Sequence, residues 1–380
     1  MQIAKKIVIV GGGIGGAATA LALHQAGFEV TVYERTAELQ EVGAGIALWS
    51  NATHVLKHLG LLEDVLRSSE LITHYQFRSY RGGELMTVPI EHFDVPAVGI
   101  HRADLHALLW RNLPREQFVL GQRFESFELV GNKVCAHFTS GLTGEGDALI
   151  GADGLNSRVR AQLLGDGKPI YRGFTTWRGL TDYIPSAYWP GYIYEYLGPG
   201  RGFGFLTIGK GRMYWYSAVK APQGQPDTPI GRKREIQELF QDWPMPIPEL
   251  ILATDEANIL KTDLYDRVPI RHWSQENVTL LGDAAHPTLP TLGQGACMAL
   301  EDALVVTKCL LAQSNPEAAF QQYESQRFAR TKAIVEQSLQ AGKIGQWENR
   351  AAVALREALM KFLLPQVFTN SFKSLHSYKA

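Results

Sequence analysis

The chain is poor in the features that mark several common protein classes. Its three cysteines, Cys135, Cys297 and Cys309, are too few and too scattered for a disulfide framework or for the paired spacings of a zinc site. A reducing cytoplasm is therefore the expected location, with no metal. His54 and His58 stand four apart without a third ligand and read as ordinary helix-surface or core histidines. Neither sign of charge dominates: 37 Lys and Arg against 38 Asp and Glu leave -1. No basic run is available to follow a nucleic-acid backbone, so no nucleic-acid partner is expected. Long apolar runs are missing too. Ile7-Val-Ile-Val10 is four residues long, short of the about 7 to 15 that a secretory signal needs. No stretch reaches the roughly 18 to 20 apolar residues of a membrane span. The amphipathic end, Ala351 to Phe368, reads as helix packed on its own core. Internal repeats and low-complexity tracts are absent.

Two residue types are in surplus. Glycine, at 37 of 380, exceeds the usual share of about 7%. Of the 38 aromatic residues, 14 fall between Tyr171 and Lys220. At ~100 to 200 residues per domain, the chain should hold two or three units. The pattern is α/β. A β-branched strand, Ile7 to Val10, precedes a helix of Ala and Leu character that runs to Gly27, and a second strand covers Glu29 to Tyr33. Ala148 to Ala152 and Val278 to Leu281 are short apolar runs of the kind buried on both faces of a parallel sheet. From about Tyr171 to Ala221 residues alternate between Gly and Pro breaks, as antiparallel strands do. The Pro-rich stretch Pro222 to Pro248 carries one short helix pattern, and long helices follow Gln294.

The strongest local signal is Gly11-Gly12-Gly13-Ile14-Gly15-Gly16, between first strand and first helix. In a dinucleotide site the first glycine makes the tight turn, the second admits the pyrophosphate, and the third packs helix on strand. The helix N-terminus then turns its unpaired N–H groups toward the phosphates. Glu34 ends the second strand, where an acid accepts hydrogen bonds from an adenosine ribose. These residues alone do not separate FAD from NAD. No second fingerprint exists: Gly198-Pro-Gly200-Arg-Gly202 reads as a turn between strands, and Gly204 to Gly211 lacks the Ser or Thr of a phosphate-binding loop. One dinucleotide is held tightly, and a second would have to visit an open surface.

The second signal is Gly282-Asp283-Ala-Ala-His286-Pro287-Thr-Leu-Pro290-Thr-Leu-Gly293-Gln294-Gly295-Ala296. A strand delivers Asp283 to its carboxyl end, where ligands bind in open α/β sheets. Two prolines stiffen the loop, and two glycines let backbone approach a ligand as a helix begins.

Together with Gly151-Ala-Asp153-Gly154-Leu-Asn-Ser157-Arg158-Val-Arg160, these segments resemble the single-component FAD-dependent aromatic monooxygenases of the p-hydroxybenzoate hydroxylase type. The resemblance runs from about Lys6 to Arg330. It implies a Rossmann-like, three-layer α/β FAD-binding domain, a β-sheet substrate domain and C-terminal helices. Because the motifs at Gly11, Asp153 and Asp283 flank the aromatic middle, the expected cofactor domain is discontinuous: 1–72, 100–170 and 263–345. The substrate domain is expected at 73–99 and 171–262, and a helical segment at 346–380. The resemblance further implies that Gly11, Gly13, Gly15 and Gly16 receive the pyrophosphate and that Glu34 and Arg35 hold the adenosine end. Ala47, Arg102 and Phe124 would line the cofactor, and Asp283 would bind the ribityl chain. Backbone N–H groups from Gly293, Gln294, Gly295 and Ala296 would hold the isoalloxazine, and Asp153 with Gly154 would place both FAD and the nicotinamide donor. The implied activity uses NADH or NADPH and O2 to hydroxylate or epoxidise a small ring substrate through a flavin C4a-hydroperoxide, in a monomer or homodimer.

Substrate selection is expected in the aromatic middle, where Tyr192, Tyr194 and Tyr196 share one strand face. Arg201 and Tyr214 match, by position, residues that contact the purine in the urate hydroxylase branch. Trp177-Arg178 stands where that branch carries polar residues, so a larger aromatic or an isoprenoid ring, as in zeaxanthin epoxidase-like relatives, is open as well. A flavin-dependent halogenase would show a Trp-x-Trp-x-Ile-Pro segment, which the chain lacks. A non-catalytic flavin sensor is the alternative of a different class.

Overall fold

The computed structural model describes residues 6–38, 44–90 and 94–380. Residues 1–5 and 39–43 of the expected cofactor domain, and 91–93 of the expected substrate domain, lie outside the described residues. Strand Lys6–Val10 is buried along its β-branched run, as a parallel strand covered on both faces must be. It belongs to a six-stranded sheet in the order Ser274–Gln275, Val278–Leu280, Ala148–Gly151, Lys6–Val10, Glu29–Tyr33, Phe118–Val119. Only the first pair is antiparallel. Helix Ile14–Gln25 connects Lys6–Val10 to Glu29–Tyr33, and its small residues let it pack closely on helix Gly295–Ala312. The chain runs outward from Lys6–Val10 on one side and returns on the other at Ala148–Gly151. The strand order thus reverses between these two neighbours, where a crevice opens beyond the carboxyl ends of the strands. Val10 pairs with both Gly151 and Tyr33, so the turns after all three strands meet at that crevice.

The aromatic middle forms a seven-stranded sheet: Ile259–Asp266, Ile170–Thr181, Met213–Lys220, Arg201–Thr207, Tyr192–Leu197, His74–Ser79, Glu84–Pro89. Its strands pair antiparallel except Tyr192–Leu197 with His74–Ser79, which run parallel. Those two come from distant segments, so no hairpin turn constrains their direction. Trp177, Tyr194, Tyr196, Phe203, Phe205 and Trp215 bury one face under helices Arg232–Phe240 and Ile247–Ala253. Arg232–Phe240 is the short helix expected within Pro222 to Pro248; the second helix begins at the end of that stretch and has proline in its first turn, a position that tolerates it. The opposite face packs through Tyr214 and Leu206 on Gly45 and Gly99.

Helices Gly295–Ala312 and Pro316–Gly345 complete the parallel-sheet layer, and Arg350–Phe362 and Pro365–His376 close the chain. The expected single amphipathic helix is broken ahead of Pro365, since proline disfavours helical geometry in the residue before it. The inner residues Phe368 and Phe372 pack edge-on against Phe77, Tyr75 and Trp49. Among the described residues no helix is long and apolar enough to cross a membrane.

Candidate active site and cofactor cleft

Each glycine of the first turn meets a different demand. Gly11 adopts φ +104°, and a Cβ there would lie 2.4 Å from the Ala152 carbonyl oxygen. At Gly16 a Cβ would sit 2.0 Å from the Gly11 oxygen, and at Gly15 it would meet Leu281 and Ala299 at 2.9 and 3.1 Å. Gly13 has nothing within 4 Å of its Cβ position; it faces a cleft of about 560 Å³. The other walls of this cleft include Glu34, Arg35, Arg102, Phe124, Asp153 and Arg158. Glu34 accepts from the Gly12 N–H at 2.7 Å and the Thr36 N–H at 3.0 Å, which fixes its carboxylate on the cleft wall.

Asp153 accepts from the Ser157 hydroxyl and from the Arg158 and Val159 N–H groups at 2.7 and 3.3 Å. Burial pushes its carboxyl pKa up, and these three donors pull it back. Its carboxylate thus caps helix Arg158–Leu164 and holds Gly154, at φ +79° with open space beside it, on the cleft wall.

Strand Val278–Leu280 leads through Gly282, at φ +60°, to Asp283, whose carboxylate interacts with Arg102 of the cleft wall. Desolvation raises the Asp283 carboxyl, with His286 and Arg102 acting in the opposite direction. The loop is fixed from beneath. Asp302 accepts from the Gly282 N–H at 3.0 Å, His286 Nε2 at 2.7 Å and Arg327 Nε at 2.6 Å, and the His286 and Arg327 contacts hold its carboxyl well below the usual range despite burial. Arg160, buried, donates to the carbonyls of Ala284 and Ala285 at 2.9 and 2.7 Å, tying the Asp153 segment to the Asp283 loop. Asp283 Oδ1 lies 3.9 Å from the Cβ position of Gly295. Strand Gly45–Leu48, which carries Ala47, adjoins through Ala44, whose carbonyl accepts from the Arg102 N–H at 2.9 Å.

Beyond Asp283 the polar atoms are those an acceptor-rich flat ring would use. Gln294 is buried with its Oε1 on Asn51 at 3.0 Å, while Gln294 Nε2 and Trp49 Nε1 are buried donors without partners. Trp49 Nε1 lies 2.9 Å from the Cβ position of Gly293. The first-turn N–H groups of helix Gly295–Ala312 have no intrahelical acceptor. A flavin, with carbonyl and ring-nitrogen acceptors along one edge, fits this donor set.

Of the two expected substrate contacts, the fold brings only Tyr214 to this region. Tyr214 is buried with its ring 2.4 Å from the Cβ position of Gly45, and burial pushes its hydroxyl up to about 12, opposed by Arg178. Arg201 is on the other face of the sheet. It shares parity with Phe203 and Phe205, its guanidinium lies 5.9 Å from the Phe240 and Trp243 ring centroids, and it donates to the Leu239 carbonyl. The pairing of Arg201 with Tyr214 at one site is therefore corrected by strand alternation: residues of opposite parity on paired strands face opposite ways.

Sequence reasoning also missed Arg160, Asn51, Asp302 and Arg327. Arg160 lies inside a recognised motif; the other three have no local signal, because their partners are about 16 to 250 positions away. One group among the described residues brings three metal-type ligands within 4.8 Å, Glu128, Cys135 and His137. It is on a separate small sheet, where His137 Nε2 lies 3.3 Å from Glu128 Oε1.

Comparison with known proteins agrees with this geometry. The family model described as "FAD binding domain" matches residues 4–338. The chain is 39% identical over 367 residues to the aurachin C monooxygenase/isomerase of Stigmatella aurantiaca, covering 96% of this chain and 95% of the relative. It is 32% identical over 337 residues to the FAD-dependent urate hydroxylase of Klebsiella pneumoniae, covering 87% and 88%. The crystal structure of Klebsiella pneumoniae HpxO with FAD and uric acid superposes with TM-score 0.92 at 26% identity, over 98% of this chain and 96% of that one.

Proposed function

Since the chain belongs to the FAD-binding domain family, we infer that it is an FAD-dependent monooxygenase that uses NADH or NADPH and O2 to oxygenate a ring-containing substrate. The observation that carries this reading is one cleft at the strand-order reversal that holds a phosphate turn at Gly13 and a carboxylate at Glu34, with Asp283 interacting with Arg102 of its wall and the partnerless donors Trp49 Nε1 and Gln294 Nε2 near the helix start at Gly295. Residues 1–72, 100–170 and 263–345 would form the cofactor unit, 73–99 and 171–262 the substrate unit, and 346–380 the helical cover. The proposed location is the cytoplasm, which would keep the three free cysteines reduced, and the proposed assembly is a monomer or homodimer.

Within the crevice the residues have separable tasks. Gly11 shapes the turn so that Gly13 admits the pyrophosphate, whose charge the helix N-terminus at Ile14 favours. Glu34 accepts from ribose hydroxyls beside Arg35, and Arg102 and Phe124 close the wall. Asp283 accepts from ribityl hydroxyls. The N–H groups of Gly295 and Ala296, at the positive end of an 18-residue helix, favour negative charge on the pyrimidine edge of the flavin. FAD, when bound, supplies the electron transfer from NAD(P)H and the transfer of one oxygen atom to the substrate. Trp49, Tyr75 and Phe372 exclude water from the side facing the C-terminal helices, which protects a reactive oxygen species from decay.

Asp283→Ala tests the assignment. Loss of an acceptor to the ribityl chain should cost about 1 to 3 kcal/mol, and FAD should be lost on gel filtration while the apoprotein stays folded. Full flavin occupancy in the variant contradicts the role.

A further inference from the structure

The side of the seven-stranded sheet that carries Tyr214 also holds a carboxylate, which is not among the residues of the cofactor cleft. Glu195, on Tyr192–Leu197, accepts from the Tyr216 hydroxyl at 2.5 Å and the Tyr75 hydroxyl at 3.3 Å. Both bonds fall on Oε2. Oε1 has no hydrogen-bond partner among the described residues and lies 3.6 Å from the Cβ position of Gly202. The facing strand is cut back here: a Cβ at Gly204 would be 2.3 Å from the Tyr216 ring and 2.7 Å from Glu195 Oε2, so glycine is needed for the tyrosine to cross the strand and reach the carboxylate. Two chains of contacts connect the cluster to the segments expected to hold the flavin. Tyr75 stacks on Trp49 at 6.3 Å, and Trp49 abuts Gly293; Tyr216 is 5.8 Å from Tyr214, which abuts Gly45.

We propose that Glu195 is the catalytic base of the substrate site, binding an aromatic ring through a ring hydroxyl or ring N–H and taking its proton on Oε1, with Tyr75 and Tyr216 as positioning residues. The proposal rests on the monooxygenase reading and narrows its substrate to rings with an acidic O–H or N–H. In the step, the ring O–H or N–H bond breaks, its electron pair stays on the ring, and the proton forms a bond to Oε1; nothing is oxidised or reduced. Negative charge moves from carboxylate to ring and raises electron density at the conjugated carbons, which is what electrophilic oxygen transfer requires. The proton returns to the ring heteroatom afterwards. Burial supports the assignment by raising the Glu195 carboxyl to about 7, with the two tyrosine hydroxyls opposing. Against a phenolic hydroxyl near about 10, the gap narrows from about 5.5 to about 3 pKa units, nearer the match that efficient proton transfer needs.

The test uses the FAD-loaded protein and two probe pairs, 1-naphthol with 1-methoxynaphthalene and 4-hydroxyquinoline with 4-methoxyquinoline, titrated by their perturbation of flavin absorbance. At least one hydroxylated probe should bind about tenfold or more tighter than its ether. Glu195→Gln should erase that preference while FAD stays bound. Gly202→Val, which fills the space beside Oε1 without touching either tyrosine bond, should weaken the hydroxylated probe about tenfold and covers the case of a Glu195 variant that fails to fold. Equal binding within both pairs, no perturbation by any hydroxylated probe, a preference retained in Glu195→Gln, or unchanged binding in Gly202→Val overturns the proposal. Substrate-stimulated oxygen uptake with NADH or NADPH is scored separately. Hydroxyl-dependent binding without oxygen uptake sinks the monooxygenase reading and keeps the binding site; oxygen uptake without hydroxyl-dependent binding does the reverse.

Discussion

At the scale of single residues, side-chain parity decides which groups meet substrate. Arg201 and Tyr214 match a known pattern by position, yet a shift of one residue along a strand turns a side chain to the opposite face. Sequence alone did not resolve that shift, because Gly200, Gly202 and Gly204 around Arg201 blur the alternation that would have marked the buried face. Arg201→Ala should therefore cost stability rather than chemistry. Loss of its stacking on Phe240 and Trp243 is worth about 0.5 to 1 kcal/mol, read by denaturant unfolding, and substrate-stimulated turnover should stay within about twofold. A selective loss of turnover with unchanged stability would return Arg201 to the substrate site. Glu195 gives a pH prediction. The groups facing it are the Tyr75 and Tyr216 hydroxyls, both pushed well above their ordinary value chiefly by burial, with Tyr214 beside Tyr216 and Arg178 paired across from it. The tyrosines stay protonated donors, so the carboxyl is the titrating group. As pH rises through about 7 it ionises and becomes the proton acceptor, so kcat/KM for a hydroxylated substrate should rise there, and the Glu195→Gln profile should be flat over that interval.

Among elements, the two glycine turns were legible from sequence because each combines a strand end, glycines and a helix start within about 20 residues. Their internal division of labour was legible in outline and is sharpened by geometry. Gly13 has an ordinary extended backbone, φ -65° and ψ -175°, with open space beside it. Gly13→Ala should thus leave the unfolding free energy within about 0.5 kcal/mol and weaken FAD about tenfold or more. Gly16→Ala places a methyl 2.0 Å from a backbone oxygen and should destabilise the fold by at least about 1 to 3 kcal/mol. Equal behaviour of the two variants in both assays would contradict this division. The support beneath the Asp283 loop was not legible. Asp302, Arg327 and His286 meet only in the folded chain, with the Asp302 and Arg327 side chains fully buried. Breaking one partner of such a buried pair costs about 3 to 5 kcal/mol, the loss expected for Asp302→Asn in thermal or denaturant unfolding. The carboxyl pKa is depressed in the folded state, so its contribution is present above the ordinary carboxylate range and is lost as pH falls through the folded value.

For the whole molecule, hydrophobic pattern and motif order were enough to read a parallel sheet, an aromatic antiparallel layer and a helical end, because each has its own periodicity. Long-range pairing was beyond that reading. The parallel junction of Tyr192–Leu197 with His74–Ser79 joins segments more than a hundred residues apart, and the return of helix Pro365–His376 onto Trp49 and Tyr75 leaves no trace in local sequence. The second contact places the C-terminal helix against Tyr75, which donates to Glu195. Part of the glycine surplus serves close approaches at Gly11, Gly15 and Gly16 and beside Glu195 at Gly202 and Gly204, and much of the rest lies in turns of positive φ. The most direct measurement of the central claim is made on the purified, FAD-loaded protein: NAD(P)H and O2 consumption with the hydroxylated ring probes, followed by mass analysis of the product. The account predicts a yellow protein whose NAD(P)H oxidation is accelerated by a hydroxylated ring and whose product has gained one oxygen atom from O2. Bound FAD with no substrate-stimulated oxygen uptake and no oxygenated product would contradict it.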